Sequence, residues 1–385
     1  MIERYVYLDN GASTRIDEDA LKEMIKYYTE IYGVATSQFG HTMGIKAKEG
    51  LDNARDYIAK RINAKPEEII FTSGGTESNN IAIKGVAIAS KKRKKILVSS
   101  IEHFSVLYSA RSLEEDGYKI IKIPVDRNGF VDLDFIEENV DDDTLLLSVQ
   151  HSNYEVGTIQ PIEEISKITR KKGVIFHSDC AYSFGWCKID VEKMGVDLLT
   201  FTGHKIHGPK GIGGIYIRKG TKIKKWMDGG YNEFDMRAGT ENIPGAVGMA
   251  KALEKMTDEE IEKVKKIRDY LKDKILSIQN SHLNGDAIKR HPANLNVTFD
   301  YIEGESVVLH LDMRNIAVIT GSACFSRALE PSHVLMAMGF SHEHAHGSVR
   351  YSLGRFNTIE EMDYVFEQTK EVVEKLRSFS PLKGE

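Results

Sequence analysis

The sequence has few cysteines, no long apolar run and no excess of basic residues. Only three cysteines occur in 385 residues. A small, odd number of cysteines argues against a disulfide framework and favours a reducing compartment. No apolar run approaches the roughly 18 residues of a membrane span. The first residues, MIERYVYLDN, also lack the apolar core of a secretory signal peptide. We therefore expect a cytoplasmic protein that does not enter a membrane.

The charge balance gives no sign of nucleic-acid binding. There are 52 Lys+Arg against 57 Asp+Glu, so the formal net charge is −5. A nucleic-acid-binding protein is usually basic overall or carries a basic stripe. The dense basic cluster at residues 91–95 directly precedes an apolar segment, which indicates a solvated helix end. The content of 41% hydrophobic and 28% charged residues is typical of a globular enzyme. We expect no nucleic-acid partner.

Short apolar segments alternate with helical patterns through the first two thirds of the chain. Strands that alternate with helices predict a mostly parallel sheet. In such a sheet, ligand-binding groups gather at the carboxyl ends of the strands. His103, Asn153, Asp179 and Lys205 each follow one of these apolar segments. We predict that their side chains meet at one edge of the sheet.

Lys205 follows the buried-looking run Leu198–Phe201, so its amine is expected at the rim of a pocket. A lysine partly removed from water has a lowered pKa and can attack a carbonyl. Pyridoxal phosphate needs such a lysine, which holds it as a Schiff base, and an acid beside its ring nitrogen. Asp179, just past Val174–Phe176, is the candidate for that acid. Either residue alone is as readily a solvated lysine or a loop acid, whereas the pair favours a cofactor site.

A glycine-rich turn after Ile69–Phe71 is a candidate phosphate cradle. Gly74 and Gly75 precede a predicted helix that opens at Thr76. Backbone N–H groups at a helix N-terminus bind anions, and the helix dipole favours negative charge there. The same segment is compatible with an ordinary turn capped by Ser73 or Thr76. The residues alone leave both interpretations open.

Cys324 lies among small residues in the segment GSACFSRALEPSHV. Free cysteines are usually buried and inert, and we expect this of Cys180 and Cys187. A cysteine on an exposed loop can instead be a nucleophile. The position of Cys324 in the sequence does not decide between a buried, inert thiol and a nucleophile.

A charged amphipathic helix predicted from Thr257 to Ser277 follows the alternating region. The remainder shows antiparallel-type strands and a long final helix capped by Thr358. We predict a large domain of residues 15–256 and a small domain formed by residues 1–14 and 257–385.

Several segments in order along nearly the whole chain resemble the pyridoxal phosphate-dependent cysteine desulfurases of the NifS/IscS type. These belong to class V of the fold-type I aminotransferase superfamily. The segments are YLDNGAST, FTSGGTESNN, EHFSVL, HSNYEVGTIQP, TGHKIHGPKGIG, RAGTEN, GSAC and VRYSLGRFNT. The combination of GHKIHGPKG with GSAC and LEPSHVL is highly specific. The resemblance implies an α/β fold in which helices sandwich a mostly parallel seven-stranded sheet, with a smaller α+β domain.

The resemblance also implies roles for the site residues. Lys205 binds the cofactor, Asp179 pairs with its ring nitrogen, and His103 stacks on the ring and moves protons. Arg350 grips the substrate carboxylate, a task suited to its planar guanidinium. Cys324 attacks the substrate sulfur and becomes a persulfide. The other implied residues are Asn153 and Tyr182 at the ring oxygen, with Asn153 also near the substrate; Gly75, Thr76, Thr202 and His204 at the phosphate; and Thr240 from the second subunit of a homodimer.

The implied reaction converts L-cysteine to L-alanine and passes the sulfur to an iron–sulfur scaffold or a sulfur-carrier protein, with no metal ligand in the chain. The sequence departs from the family pattern at residues 34–41, where VATSQFGH replaces the usual GNPSS. Tyr182 stands at the position of a usual glutamine, and Cys180 at that of a small residue. Two alternatives stay open: a selenocysteine lyase or other amino-acid lyase with the same cofactor, and a non-catalytic scaffold that binds sulfur-carrier or cluster-assembly partners.

Overall fold

The computed structural model describes residues 5–90, 92–321 and 331–381. Cys324 lies outside these residues. Along the chain the elements are β1 (Val6–Tyr7), α1 (Glu18–Thr29), α2 (Thr42–Arg61), β2 (Ile69–Thr72), α3 (Gly75–Ala89), β3 (Lys95–Ser99), α4 (Phe104–Arg111), β4 (Lys119–Ile123), α5 (Leu133–Asn139), β5 (Thr144–Ser148), α6 (Ile162–Lys172), β6 (Ile175–Asp179), α7 (Val191–Met194), β7 (Leu198–Thr202), β8 (Gly213–Ile217), α8 (Ile243–Glu254), α9 (Asp258–Ile275), β9 (Ser281–Leu283), β10 (Asn294–Phe299), α10 (Gly304–Asp312), β11 (Ile316–Ala317), α11 (His333–Ala337), α12 (His342–His346), β12 (Ser348–Ser352) and α13 (Ile359–Phe379).

The central sheet has seven strands in the order β2-β8-β7-β6-β5-β3-β4. Strands β4, β3, β5, β6 and β7 pair in parallel. Strand β8 runs antiparallel to both of its neighbours, β2 and β7. The predicted fold class, a mostly parallel seven-stranded sheet between helices, is confirmed.

Apolar side chains on both faces of the sheet explain why its strands read as continuous apolar runs. Successive residues of a strand point to opposite faces. Leu97, Leu147 and Leu199 accordingly pack into one hydrophobic cluster, whereas their neighbours Leu146 and Leu198 pack into a second one. A parallel sheet covered by helices on both faces produces this pattern.

Three helix starts show how local sequence sets the boundaries. Helix α9 is capped by Thr257, whose hydroxyl accepts the N–H of Glu260. Helix α13 is capped by Thr358, and Glu361 completes a capping box. Helix α3 begins one residue before the predicted Thr76, because Gly74 is its N-cap.

Within the described ranges, two smaller sheets lie outside the central one. Strands β12, β10 and β9 form an antiparallel sheet, and β1 pairs in parallel with β11. The second pairing brings the start of the chain against residues that are distant in sequence. The division into residues 15–256 and the two flanking segments stays a prediction. Among the described residues, no helix is both long and apolar enough to cross a membrane.

Candidate active site

A cavity of about 320 Å³ opens beside the ends of the central strands. Strands β3, β6 and β7 run in parallel, so the residues that follow them emerge at the same edge of the sheet. The predicted site residues that line this cavity are Gly75, Thr76, His103, Asp179, Tyr182, Thr202, His204, Lys205 and Arg350.

Lys205 lies in a tight turn directly after β7. The turn folds back on Gly203, whose carbonyl accepts the N–H of Ile206 at 3.2 Å and that of Gly208 at 3.0 Å. A Cβ at Gly208 would lie 2.8 Å from the Gly203 carbonyl oxygen, so the turn requires glycine there. The Lys205 carbonyl is held by Trp186 Nε1 at 2.8 Å. These contacts fix the backbone that presents the amine to the cavity.

Asp179, the last residue of β6, is held by two donors. Its Oδ1 accepts the N–H of Ala181 at 2.8 Å, and its Oδ2 accepts Asn79 Nδ2 at 2.8 Å. Asn79 Nδ2 also lies 2.8 Å from Ser105 Oγ, which is 2.7 Å from His103 Nδ1. The carboxylate and the imidazole of the cavity are therefore linked through one amide and one hydroxyl.

The start of α3 provides the anion-binding geometry that the sequence suggested. Its N-cap, Gly74, has a φ of 152° and no side chain to cap the first turn. The N–H groups of the first turn thus stay available for an anion, which the helix dipole also favours. Gly213 packs against this turn, where an added Cβ would lie 2.7 Å from Gly74 Cα.

The two histidines of the site are kept neutral by their surroundings. Burial and the neighbouring Lys205 lower the pKa of His103. Burial, Lys205 and Lys210 lower the pKa of His204 to about 4. At neutral pH each imidazole therefore has one donor nitrogen and one acceptor nitrogen.

Arg350 enters the cavity from β12. Its Nη2 lies 2.7 Å from Asp9 Oδ1, and its Nη1 donates to the Tyr154 carbonyl at 3.2 Å. Its side chain is 6% exposed, and its buried Nε has no hydrogen-bond partner among the described residues. A buried N–H group without a partner is costly. An arginine in this arrangement is suited to bind the carboxylate of a ligand.

Both ends of the Asn153 side chain contact backbone groups of the protein. Its Oδ1 accepts the N–H groups of Glu155 and Val156, both at 2.8 Å, and its Nδ2 donates to the Ile101 carbonyl at 3.1 Å. The neighbouring Tyr154, and not Asn153, lines the cavity. In this structure Asn153 shapes the loop, and its contact with the cofactor and the substrate stays a prediction.

The Tyr182 hydroxyl has a hydrogen-bond partner within the protein. It accepts Asn294 Nδ2 at 3.3 Å, and the Tyr182 ring stacks on His291 with 4.1 Å between the ring centroids. The face of the ring lies 5.4 Å from Lys205 Nζ. Tyr182 thus forms a wall of the cavity, and its predicted hydrogen bond to the cofactor ring oxygen stays a prediction. Thr240 is exposed and lies outside the lining of this cavity.

Sequence reasoning missed Asn79, Ser105 and Asp9. Asn79 lies four residues after Gly75 on α3, a spacing that places both on one helix face. Ser105 lies two residues after His103. These two spacings in the sequence indicate that Asn79 and Ser105 lie near the site. Asp9, by contrast, reaches Arg350 only through the tertiary fold.

The cysteines within the described part of the chain, Cys180 and Cys187, are free. Cys180 is fully buried, and burial raises the pKa of its thiol. Burial raises the pKa of Cys187 to about 12. Neither thiol lines the cavity. Cys180 is buried, as expected of a packing residue, whereas Cys187 is partly exposed at the surface.

Comparison with known proteins defines the family. The model of the aminotransferase class-V family matches residues 6–365. This chain belongs to that family. It is 46% identical to a cysteine desulfurase IscS of Dictyoglomus turgidum, over 100% of this chain and 98% of the relative. A solved NifS-like protein superposes with a TM-score of 0.90 at 38% identity, covering 97% of this chain and 100% of the other. The structure of SspA in complex with cysteine superposes with a TM-score of 0.82 at 32% identity, covering 92% and 100%.

Pyridoxal phosphate is the cofactor of this family, and the residues in the cavity fit it. The cavity offers an amine at Lys205, a carboxylate at Asp179 and an imidazole at His103. The uncapped first turn of α3 supplies N–H donors for a phosphate. This set matches the needs of the cofactor, which are a lysine, an acid at the ring nitrogen and an anion site. The predicted cofactor is confirmed.

Proposed function

We propose that this chain is a cysteine desulfurase that converts L-cysteine to L-alanine and keeps the sulfur as a persulfide. The observation that carries the proposal is the single cavity that joins Lys205, Asp179 and His103 to the buried guanidinium of Arg350. A cofactor site beside a carboxylate-binding arginine suits an amino-acid substrate. Its relatives include proteins named cysteine desulfurase, and one structural neighbour was solved with cysteine.

Each residue has a task that follows from its position. Arg350, whose side chain lines the cavity, holds the substrate carboxylate. Asp179 accepts a hydrogen bond from the protonated ring nitrogen of the cofactor, which supplies an electron sink for the substrate Cα when bound. The Lys205 amine accepts a proton at Cα and returns it as the product forms. The first turn of α3, with Thr202 and His204, holds the phosphate.

Cys324 is the proposed nucleophile. Its Sγ, as the thiolate, attacks the substrate sulfur, so an S–S bond forms while the substrate Cβ–S bond breaks. The electron pair of that bond stays with the substrate, and Cβ takes up the proton that the Cys324 thiol lost, which completes the methyl group of alanine. The products are L-alanine and a persulfide on Cys324, and the step needs no external oxidant or reductant. The full burial of Cys180 supports the choice of Cys324, because a nucleophile needs access to its substrate.

We further propose that the chain acts as a homodimer, in which Thr240 reaches the phosphate of the partner's site. The exposure of Thr240 outside its own cavity is compatible with that role. Large apolar side chains exposed on α1 and after it, such as Tyr28, Tyr32 and Phe39, also suit an interface. Sedimentation equilibrium measures the oligomeric state directly, and a monomer at micromolar concentration would contradict this part.

The persulfide sulfur is proposed to pass to an iron–sulfur scaffold or a sulfur-carrier protein. A persulfide is labile and is handed on by thiol exchange, so the acceptor should present a thiol. The free cysteines Cys180 and Cys187 support a reducing, cytoplasmic location for this chemistry.

The test measures alanine and sulfide from L-cysteine, with a dithiol reductant, for wild type and Cys324→Ala. Wild type should form both products, whereas Cys324→Ala should lose at least 100-fold of this activity and still bind the cofactor. Cys180→Ser is the matched control and should keep its activity. If Cys324→Ala matches wild type, Cys324 is not the nucleophile. If selenocysteine or another amino acid reacts far better than cysteine, the lyase alternative replaces the proposal. A protein that cannot take up the cofactor would revive the scaffold alternative.

A further inference from the structure

The His103 imidazole caps helix α4, and this cap decides which ring nitrogen carries the proton. His103 is the N-cap residue of α4, and its Nδ1 accepts the backbone N–H of Ser105 at 3.1 Å. A backbone N–H can only donate, so Nδ1 must offer a lone pair. A neutral imidazole has one N–H and one acceptor nitrogen. The proton of neutral His103 therefore lies on Nε2.

A second donor reaches the same nitrogen. Ser105 Oγ lies 2.7 Å from His103 Nδ1 and 2.8 Å from Asn79 Nδ2. The Asn79 amide nitrogen also lies 2.8 Å from Asp179 Oδ2. An amide oxygen in its place would face a carboxylate oxygen, so the network fixes the amide orientation. Because Asn79 donates to the Ser105 oxygen, the hydroxyl hydrogen is free to point at Nδ1.

We propose that Ser105 and Asn79 are positioning residues that hold His103 neutral, with the N–H on Nε2, against the cofactor. Two donors converge on Nδ1, so protonating that nitrogen must displace both of them. His103 then serves as a fixed hydrogen-bond donor, and the transfer of the Cα proton falls to Lys205. The role of His103 as a hydrogen-bond donor in the reaction rests on the proposed function, whereas the position of its proton on Nε2 does not.

The charged groups around His103 come from several elements. Lys205 follows β7, Asp179 ends β6 and His333 begins α11. Lys205 and His333 oppose a positive charge on His103, and Asp179 favours it. Among the described residues, the Ser105 hydroxyl is the contact that can be removed without changing any of these charges.

The experiment is nitrogen NMR of the full-length protein labelled with [¹⁵N]histidine, with and without bound pyridoxal phosphate. The His103 signals are identified by their loss in His103→Gln. We expect an unprotonated Nδ1 and a protonated Nε2 in wild type. In Ser105→Ala the pKa of His103 should rise by about 0.5 to 1, because one neutral hydrogen bond to the unprotonated nitrogen is lost. Ser105→Thr keeps the hydroxyl and should restore the wild-type value.

Ser109→Ala is the matched control. Ser109 lies one turn later on α4 and donates to the Ser105 carbonyl at 2.6 Å, not to His103. A protonated Nδ1 in neutral wild-type His103 would overturn the proposal, and so would equal His103 pKa values in Ser105→Ala and Ser109→Ala. If the tautomer is as expected but wild type makes no alanine from cysteine, only the proposed function fails. In an active enzyme, the acid limb of the pH profile for alanine formation should move with the His103 pKa.

Discussion

The Asp9–Arg350 pair allows a sharp test of how the substrate carboxylate is bound. Asp9 Oδ1 lies 2.7 Å from Arg350 Nη2, and the two side chains are 16% and 6% exposed. The pair fixes one end of the guanidinium, and Nε has no hydrogen-bond partner within the described part of the chain. Asp9→Asn keeps an oxygen acceptor of the same size at that place but removes the charge. We expect Arg350 to lose part of its fixed orientation.

The magnitude follows from the burial of the pair. Deleting one partner of a buried ion pair costs about 3–5 kcal/mol. Because asparagine still accepts a hydrogen bond, we expect a loss of about 1–2 kcal/mol in the free energy of unfolding. The difference between a charged and a neutral acceptor is about 1 kcal/mol. If that energy holds Arg350 in its binding geometry, the KM for L-cysteine should rise about 5-fold.

Steady-state alanine formation gives KM and kcat, and urea denaturation gives the free energy of unfolding. We expect KM to rise and kcat to change less than about 2-fold, because Asp9 does not touch the reacting atoms. Asp17→Asn is the matched control, since Asp17 pairs with Arg355 at 2.8 Å, with side chains 10% and 18% exposed, and does not line the cavity. An unchanged or lower KM in Asp9→Asn, or an equal rise in Asp17→Asn, would refute the reasoning.

Two further predictions concern the buried carboxyl of Glu155 and the glycine behind the phosphate cradle. Burial raises the pKa of Glu155 from 4.5 to about 7, so the folded protein binds its proton more tightly than the unfolded chain. The free energy of unfolding should therefore fall by up to about 3 kcal/mol between pH 4.5 and 7. Urea denaturation at several pH values measures this fall. It should be absent in Glu155→Gln and present in the control Glu163→Gln, because Glu163 is exposed. Gly213→Ala should weaken cofactor binding at least 10-fold in a fluorescence titration, because the added Cβ would lie only 2.7 Å from Gly74 Cα. Gly40→Ala is the control and should bind the cofactor normally, because its added Cβ would lie 3.5 Å from the nearest atom. Equal cofactor affinities in the two variants would contradict the role of the Gly74 turn as a phosphate cradle.

The course of the central sheet and the edge where ligands gather could be predicted because they depend on local patterns. The apolar run Leu198–Phe201 lies in β7, all of whose residues are buried, as expected for a parallel strand between helices. Residues that directly follow such runs, as Asp179 and Lys205 do, have their side of the sheet fixed by the strand direction. The sequence alone therefore predicts that His103, Asp179 and Lys205 lie close together.

The partners of these residues were decided by the tertiary structure. Both ends of the Asn153 side chain are bound to backbone groups, which no motif indicates. Asp9 reaches Arg350 because β1 pairs with β11 and brings the start of the chain beside β12. The Asn79 contact with Asp179 joins α3 to β6 across the sheet edge.

The chemical groups of this site, and the edge of the sheet at which they meet, follow from the amino-acid sequence because strand period and strand direction are local properties. The tertiary fold sets which atoms of those groups already have a partner, as His103 Nδ1 does, and which have none among the described residues, as is the case for Arg350 Nε. Hydrogen bonds are directional and short-ranged, so their partners depend on positions that distant parts of the chain fix together.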